Sequence, residues 1–194
     1  MKTTRLEAFS DAVLAIIITI MVLEFKSPEE PTFEALKGLS SVAVSYVVSF
    51  IYLGIYWNNH HHLFKQTEKV TSGILWANLH LLFWLSLIPF ATSWMGEYHF
   101  GAAPMAIYGF VLLMSAFAFT ILQNVIVKAH QYDCILKIRK GTTLKEVVSI
   151  ILYIIGIILS FYNHIMAMIC YILVALLWIV PDEQVEKQKI FNQD

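Results

Sequence analysis

The chain has 194 residues, 58% of them hydrophobic and 14% charged, with a formal net charge of −1. Soluble domains carry about 25% charged residues, so this composition argues against a soluble fold and for a polytopic membrane protein. The small net charge names no partner, because the charges are segregated by loop, and no nucleic-acid partner is expected.

The first predicted helix covers about residues 5–25, "RLEAFSDAVLAIIITIMVLEF". Its unbroken apolar run, Ala12 to Leu23 with Thr19 inside it, spans only about 18 Å of a hydrocarbon core of about 30 Å. A full span therefore has to include Arg5, Glu7 and Asp11. Lys2 and Arg5 could serve as the basic region of a signal peptide. Against that, Glu7 and Asp11 interrupt the approach and no A-x-A-like site precedes "KSPEEP", so a retained helix is expected. An acidic, proline-containing loop, "KSPEEPTFEALK", follows. The second helix is expected over 38–57, free of charge, and the third over 70–94 with Pro89 as a late kink. The fourth is expected over 102–127, ahead of a basic loop that holds Cys134. The apolar tract from Val147 to Pro181 is too long for one span. "SFYNH" at 160–164 divides it into helices over 145–160 and 164–181. Cys170 reads as a small buried residue and Cys134 as a free thiol, with no disulfide and no CxxC. One six-helix transmembrane domain over residues 1–194 accounts for the chain, with no internal repeat.

Six spans put the N-terminus, the 2–3 and 4–5 loops and the C-terminus on one side. Eleven of the thirteen Lys and Arg residues lie there, and only Lys26 and Lys37 lie opposite. The positive-inside rule then makes both termini cytoplasmic.

On a helical wheel at about 100° per residue, Ile20, Leu23 and Ala12 fall within about 40° of Ile16, and Thr19 about 60° to one side. Asp11 and Ser10 fall about 140° and 120° away. The helix thus has one apolar face and one face that begins with Ser10 and Asp11. A charge near the membrane core costs about 2.5–3.5 kcal/mol, so such residues face protein or water. Neither face suits lipid, and the helix is expected at the centre of an assembly. Arg5 is long enough to join the polar group or to reach the interface.

"RLEAFSD" resembles the Arg-x-x-x-Phe-Ser-Asp signature of the transmembrane protein 175 family of potassium channels. "YWNNHHHLF" at the end of the second helix and "WANLHLLFWLSLIPF" in the third also look like its bacterial members, so the resemblance covers residues 5 to about 97 well. It implies six helices per repeat, a homotetramer from a one-repeat chain, and a central pore lined by the first helix. Carried over by position, Ile16 would form the narrowest hydrophobic ring, followed by Thr19 or Ile20 and then Leu23. The signature residues Arg5, Phe9, Ser10 and Asp11 would form an internal polar network, with His61, Trp76 and Asn78 as partners. The activity implied is passive, potassium-selective conduction across the cytoplasmic membrane of a prokaryote. Membrane lipid and permeant potassium are the only other partners implied, with no cofactor. The chain has no TVGYG-like stretch from which to build a carbonyl filter.

Other features have plainer readings. Consecutive helical residues point about 100° apart, so His60, His61 and His62 cannot chelate one ion, and no metal site is expected. Ser41, Ser45 and Ser49 form an i, i+4, i+8 stripe suited to close helix packing. Gln123 and Asn124 are expected to bond locally. Thr19 is open between a bond to its own backbone and a place in the pore. Rival readings are a proton-permeable or weakly selective channel and a secondary transporter, although no charge lies deep within helices two to six. No Ser/Lys, paired-Asp or HExxH constellation appears inside the spans, so an enzyme is not expected.

Overall fold

The computed structural model describes residues 3–28, 30–65, 67, 69–129 and 143–179, and every regular element in them is helical. Cys134, most of the basic 4–5 loop and the C-terminal tail from residue 180 lie outside the described residues. In chain order the helices are α1 (Thr3–Leu23), α2 (Phe33–Lys37), α3 (Ser40–Lys65), α4 (Ser72–Ser86), α5 (Ile88–Glu97), α6 (Ala102–Ala129), α7 (Leu144–Leu159) and α8 (His164–Ile179). Four stretches are long and apolar enough to cross a membrane: α1, α3, α6 and the 26 residues Ser72–Glu97. At 16 residues each, α7 and α8 are shorter than the roughly 20 residues a perpendicular span requires.

Three elements depart from the expected pattern, each for a local reason. The acidic loop contains the one-turn helix α2, capped by Thr32, whose hydroxyl accepts the Ala35 N–H. Helix α3 runs eight residues past Trp57, because its polar continuation finds partners. Asn59 donates to the Ile55 carbonyl, while His60 and Phe64 are buried and stacked 4.4 Å apart. The third span is divided at Leu87, where a continuous kinked helix was expected. Pro89 has no N–H to return to the Leu85 carbonyl, so the α-helical ladder cannot run through it. Leu87 closes the first half on Trp84, and Ala91 opens the second half on the Leu87 carbonyl. The two halves then serve different neighbours. Helix α4 packs chiefly on α6, and α5 chiefly on α3.

The serine stripe of α3 lies in that second contact. The Ser41 hydroxyl donates to the Gly96 carbonyl at 2.8 Å, and Ser49 meets Thr92 at 2.7 Å and Tyr108 at 3.0 Å. A Cβ on Gly96 would stand 2.8 Å from the Val42 Cα, so only glycine permits this approach. Helices α7 and α8 form a hairpin. A capping box between Thr143 and Glu146 starts α7, and the Asn163 side chain accepts the Ile165 and Met166 N–H groups at the start of α8. Tyr171 joins the hairpin to α6. Its hydroxyl donates to the Met105 carbonyl, and its ring lies against two bare backbones, Gly109 and Gly156.

A Cβ on Gly156 would fall 2.5 Å from the Tyr171 ring. Gly156→Ala is therefore expected to destabilise the fold by about 1–3 kcal/mol through overpacking. In thermal unfolding in detergent, adding Tyr171→Leu should recover part of that loss, so the pair departs from additivity. Strict additivity would mean that the two residues do not share this space.

Candidate functional site

Helix α1 is asymmetric. Leu6, Ser10, Leu14, Ile17 and Met21 recur at helical spacing and are buried against α3, α4 and α5. The opposite surface carries Phe9, Ile16, Thr19, Ile20 and Leu23, all exposed in the single chain; Ile16 is 57% and Leu23 78% accessible. The Thr19 hydroxyl donates to the Ile16 carbonyl at 2.9 Å, so this polar group on the exposed face is bonded to its own helix.

The buried side is fastened by polar contacts in two layers. In the inner layer the Asn78 amide donates to Ser10 Oγ at 2.9 Å, and Ser10 donates to the Leu6 carbonyl at 3.0 Å. With that amide orientation, Asn78 Oδ1 accepts from His60 Nε2 at 2.8 Å. All three side chains are at most 1% exposed. This direction of donation puts a proton on His60 Nε2. Its Nδ1 is buried without a hydrogen-bond partner among the described residues. The outer layer is a ladder of two rungs. Glu7 meets His61 Nδ1 at 2.8 Å, and Asp11 accepts the Trp57 indole N–H at 3.1 Å. Glu7 and Asp11 are one helical turn apart on α1, as are Trp57 and His61 on the antiparallel α3. The Trp57 and His61 rings stack with centroids 6.4 Å apart.

The structure thus brings Ser10 and Asn78 together and places Asp11 one step outside them. His61 bonds to Glu7 rather than to the serine. Trp76 is 72% exposed, away from the buried layer. Arg5 is exposed and makes no hydrogen bond or ion pair among the described residues, because it lies about 140° around the helix from Ser10. Sequence reasoning missed Glu7, Trp57 and His60. The matching i, i+4 pairs Glu7/Asp11 and Trp57/His61 on consecutive, antiparallel helices were the available signal.

At the other end of α1 the contacts are exposed. Ser93 donates to Glu24 at 3.0 Å, and Lys26 pairs with Glu97 at 2.5 Å. A groove between α1 and α5 runs from Ile16 and Ile20 on one wall, past Phe90 and Ser93 on the other, to Glu24 and Glu97.

A family model described as endosomal/lysosomal potassium channel TMEM175 matches residues 5–89. A potassium channel of Chryseobacterium sp. (strain P1-3) is 54% identical over 187 residues, 96% of this chain and 97% of that one. The endosomal/lysosomal proton channel TMEM175 of Mus musculus is 28% identical over 117 residues, 58% of this chain and 23% of its own length. Among solved structures, the crystal structure of a lysosomal potassium-selective channel TMEM175 homolog from Chamaesiphon minutus is similar with a TM-score of 0.75. It shares 26% identity and covers 91% of this chain and 96% of that one.

Removing the hub of the buried layer should cost more than removing a rung of the ladder. Asn78→Leu strands His60 Nε2–H in an apolar site and is expected to cost about 1–3 kcal/mol. Trp57→Phe, at a half-exposed residue, is expected to cost about 1 kcal/mol or less. Unfolding temperatures in detergent rank the two, and the reverse order would place the anchorage of α1 in the ladder.

Proposed function

Because the chain belongs to the TMEM175 family, we propose that it is a passive, potassium-selective cation channel in which four copies surround a pore lined by α1. The observation that carries this reading is the exposed face of α1. Ile16, Ile20 and Leu23 are large apolar residues left uncovered on a helix whose opposite side is riveted to α3 and α4 by polar contacts. Lipid also covers apolar residues of this kind, so it is membership of the family that supports reading this face as a pore wall. The rigid polar side fixes which face is presented. Under this reading α7 and α8 complete six spans per chain, both termini are cytoplasmic, and the membrane is the cell membrane. The one ligand required is the permeant ion. The similarity to proteins named as potassium channels supports the choice of ion.

Four copies of Ile16 would form a dry ring about one turn inside the riveted end of the helix. An ion passes such a ring only when the pore is wetted, and it gives up part of its hydration shell there. Potassium holds its shell less tightly than sodium, so a dehydrating bottleneck favours it without a ring of carbonyls. Thr19, one turn further on, has its hydroxyl proton committed to the Ile16 carbonyl and presents oxygen lone pairs outward. Proton permeation is a second reading of the same pore. It is favoured by the likeness to a protein named as a proton channel and by the Glu7–His61 pair against the pore helix.

Ile16→Asn is the decisive substitution. It keeps much of the volume and lines the ring with amides, so conductance should rise, with sodium current gaining more than potassium current. Ile17, 4% exposed and facing the bundle, is the control. Ile17→Asn should reduce expression or stability without that gain. Reversal potentials in bilayers under mixed potassium and sodium gradients read both variants, and a pH gradient in the same bilayers reads protons. An unchanged reversal potential in Ile16→Asn would remove Ile16 from the pore.

A further inference from the structure

The one-turn helix α2 carries apolar side chains that the rest of the chain leaves uncovered. Phe33 is 90% exposed and Leu36 49%, and α2 contributes no buried residue. Three residues apart, they share one side of the turn, bordered by the Glu34–Lys37 ion pair at 3.1 Å. The turn itself is well formed. Thr32 caps its start, and the Gly38 and Leu39 N–H groups close on the Ala35 and Leu36 carbonyls.

Both ends of the loop that holds α2 are fastened near one level of the bundle. At the α1 end, Phe25 meets Tyr46 edge-on at 5.2 Å, and Lys26 pairs with Glu97 at the end of α5. At the α3 end, only Gly38 and Leu39 separate α2 from Ser40. The Ser41 hydroxyl then reaches the Gly96 carbonyl and His99. The loop therefore begins and ends where α1, α3 and the stretch Ser72–Glu97, all long and apolar enough to span, come to the same face of the membrane. Leu36 precedes Ser41 by five residues, so it lies at most about 18 Å from that level, and about 8 Å if the path is helical. The headgroup zone is about 5–8 Å deep on each side of the hydrocarbon. Tyr98, 63% exposed at this level, is of a type enriched there.

We infer that α2 lies in the lipid interface, with Phe33 and Leu36 seated at the boundary between headgroups and acyl chains. Lipid is the apolar partner that chain continuity itself brings to this height, and a short amphipathic turn enters it by its apolar side. The loop "KSPEEPTFEALK" has three glutamates and two lysines. Both lysines are engaged, by Glu97 and Glu34, so the lipid that suits this surface is zwitterionic rather than anionic.

The test uses the full chain with Cys134→Ser and Cys170→Ala in phosphatidylcholine vesicles. A nitrobenzoxadiazole fluorophore is attached at Leu36→Cys, and at Glu34→Cys for comparison. Phosphatidylcholine with a nitroxide high or deep on its acyl chain is the quencher. Quenching at position 36 is expected to exceed that at position 34 at least twofold, and to be stronger from the high nitroxide. Phe33→Ser, which leaves the labelled position intact, should lower it at least twofold. Replacing a third of the lipid with phosphatidylglycerol should not raise it. Equal quenching at the two positions, no effect of Phe33→Ser, or a gain with phosphatidylglycerol would each overturn the inference. Crosslinking of Leu36→Cys between chains without lipid quenching would also overturn it, by making a second copy the occupant. No position in this test lies on the exposed face of α1, so its failure leaves the pore reading untouched.

Discussion

The junction of α1 with α3 and α4 governs how the rest of the molecule is read. Ser10, Asn78 and His60 form a directional chain of hydrogen bonds among three helices, in a place that water does not reach. Away from water, an unmade hydrogen bond costs more than a made one contributes, so such a chain discriminates strongly against other rotations of the helix. A rotation of α1 by about 100° would bury Asp11 in place of Ser10 and strand Asn78. The same rotation would expose Ile17 and bury Ile18 in its place. The polar chain and the uncovered apolar face are thus two results of one angular setting.

This arrangement explains how a membrane helix carries Glu7 and Asp11. Each is matched to a donor on α3, the one to the His61 ring and the other to the Trp57 indole. Charges at membrane depth are tolerated when they face protein, and here two of them share one partner helix. The apolar run of α1 is short because its first turns are spent on this contact. Helix α3 is correspondingly longer than its apolar stretch, since the residues that answer α1 lie beyond Trp57.

The all-helical, multi-pass class was legible in composition and hydropathy, which report the solvent each segment meets. The family was legible in "RLEAFSD" and the motifs after it. Polar pairing was legible only in part, because it depends on the relative rotation of helices far apart in sequence. From the wheel Ser10 and Asp11 look alike. In the structure 100° of rotation separates a fully buried serine bonded to Asn78 from a carboxylate bonded to Trp57 at the edge. Arg5 illustrates the same limit, being near the signature in sequence and on another side of the helix in space. The division at Leu87 was partly readable, since Pro89 announces a disturbance. That α4 and α5 would serve different neighbours is tertiary information.

In mechanical terms α1 is a cantilever. Its polar end is clamped by buried hydrogen bonds, while past the buried Met21 its other end is only propped, by the exposed Glu24–Ser93 and Lys26–Glu97 contacts, which are of a kind that contributes little and weakens further with salt. The deflection of a clamped beam grows with distance from the clamp. Ile16 lies roughly 8 Å along the helix from Asp11 and Leu23 roughly 18 Å. The ring proposed to discriminate between ions would therefore sit on the stiff part of the beam, and the proposed Leu23 ring on the compliant part. A bottleneck that separates ions by their cost of dehydration needs a fixed diameter, whereas an outer mouth can change its width without altering that choice.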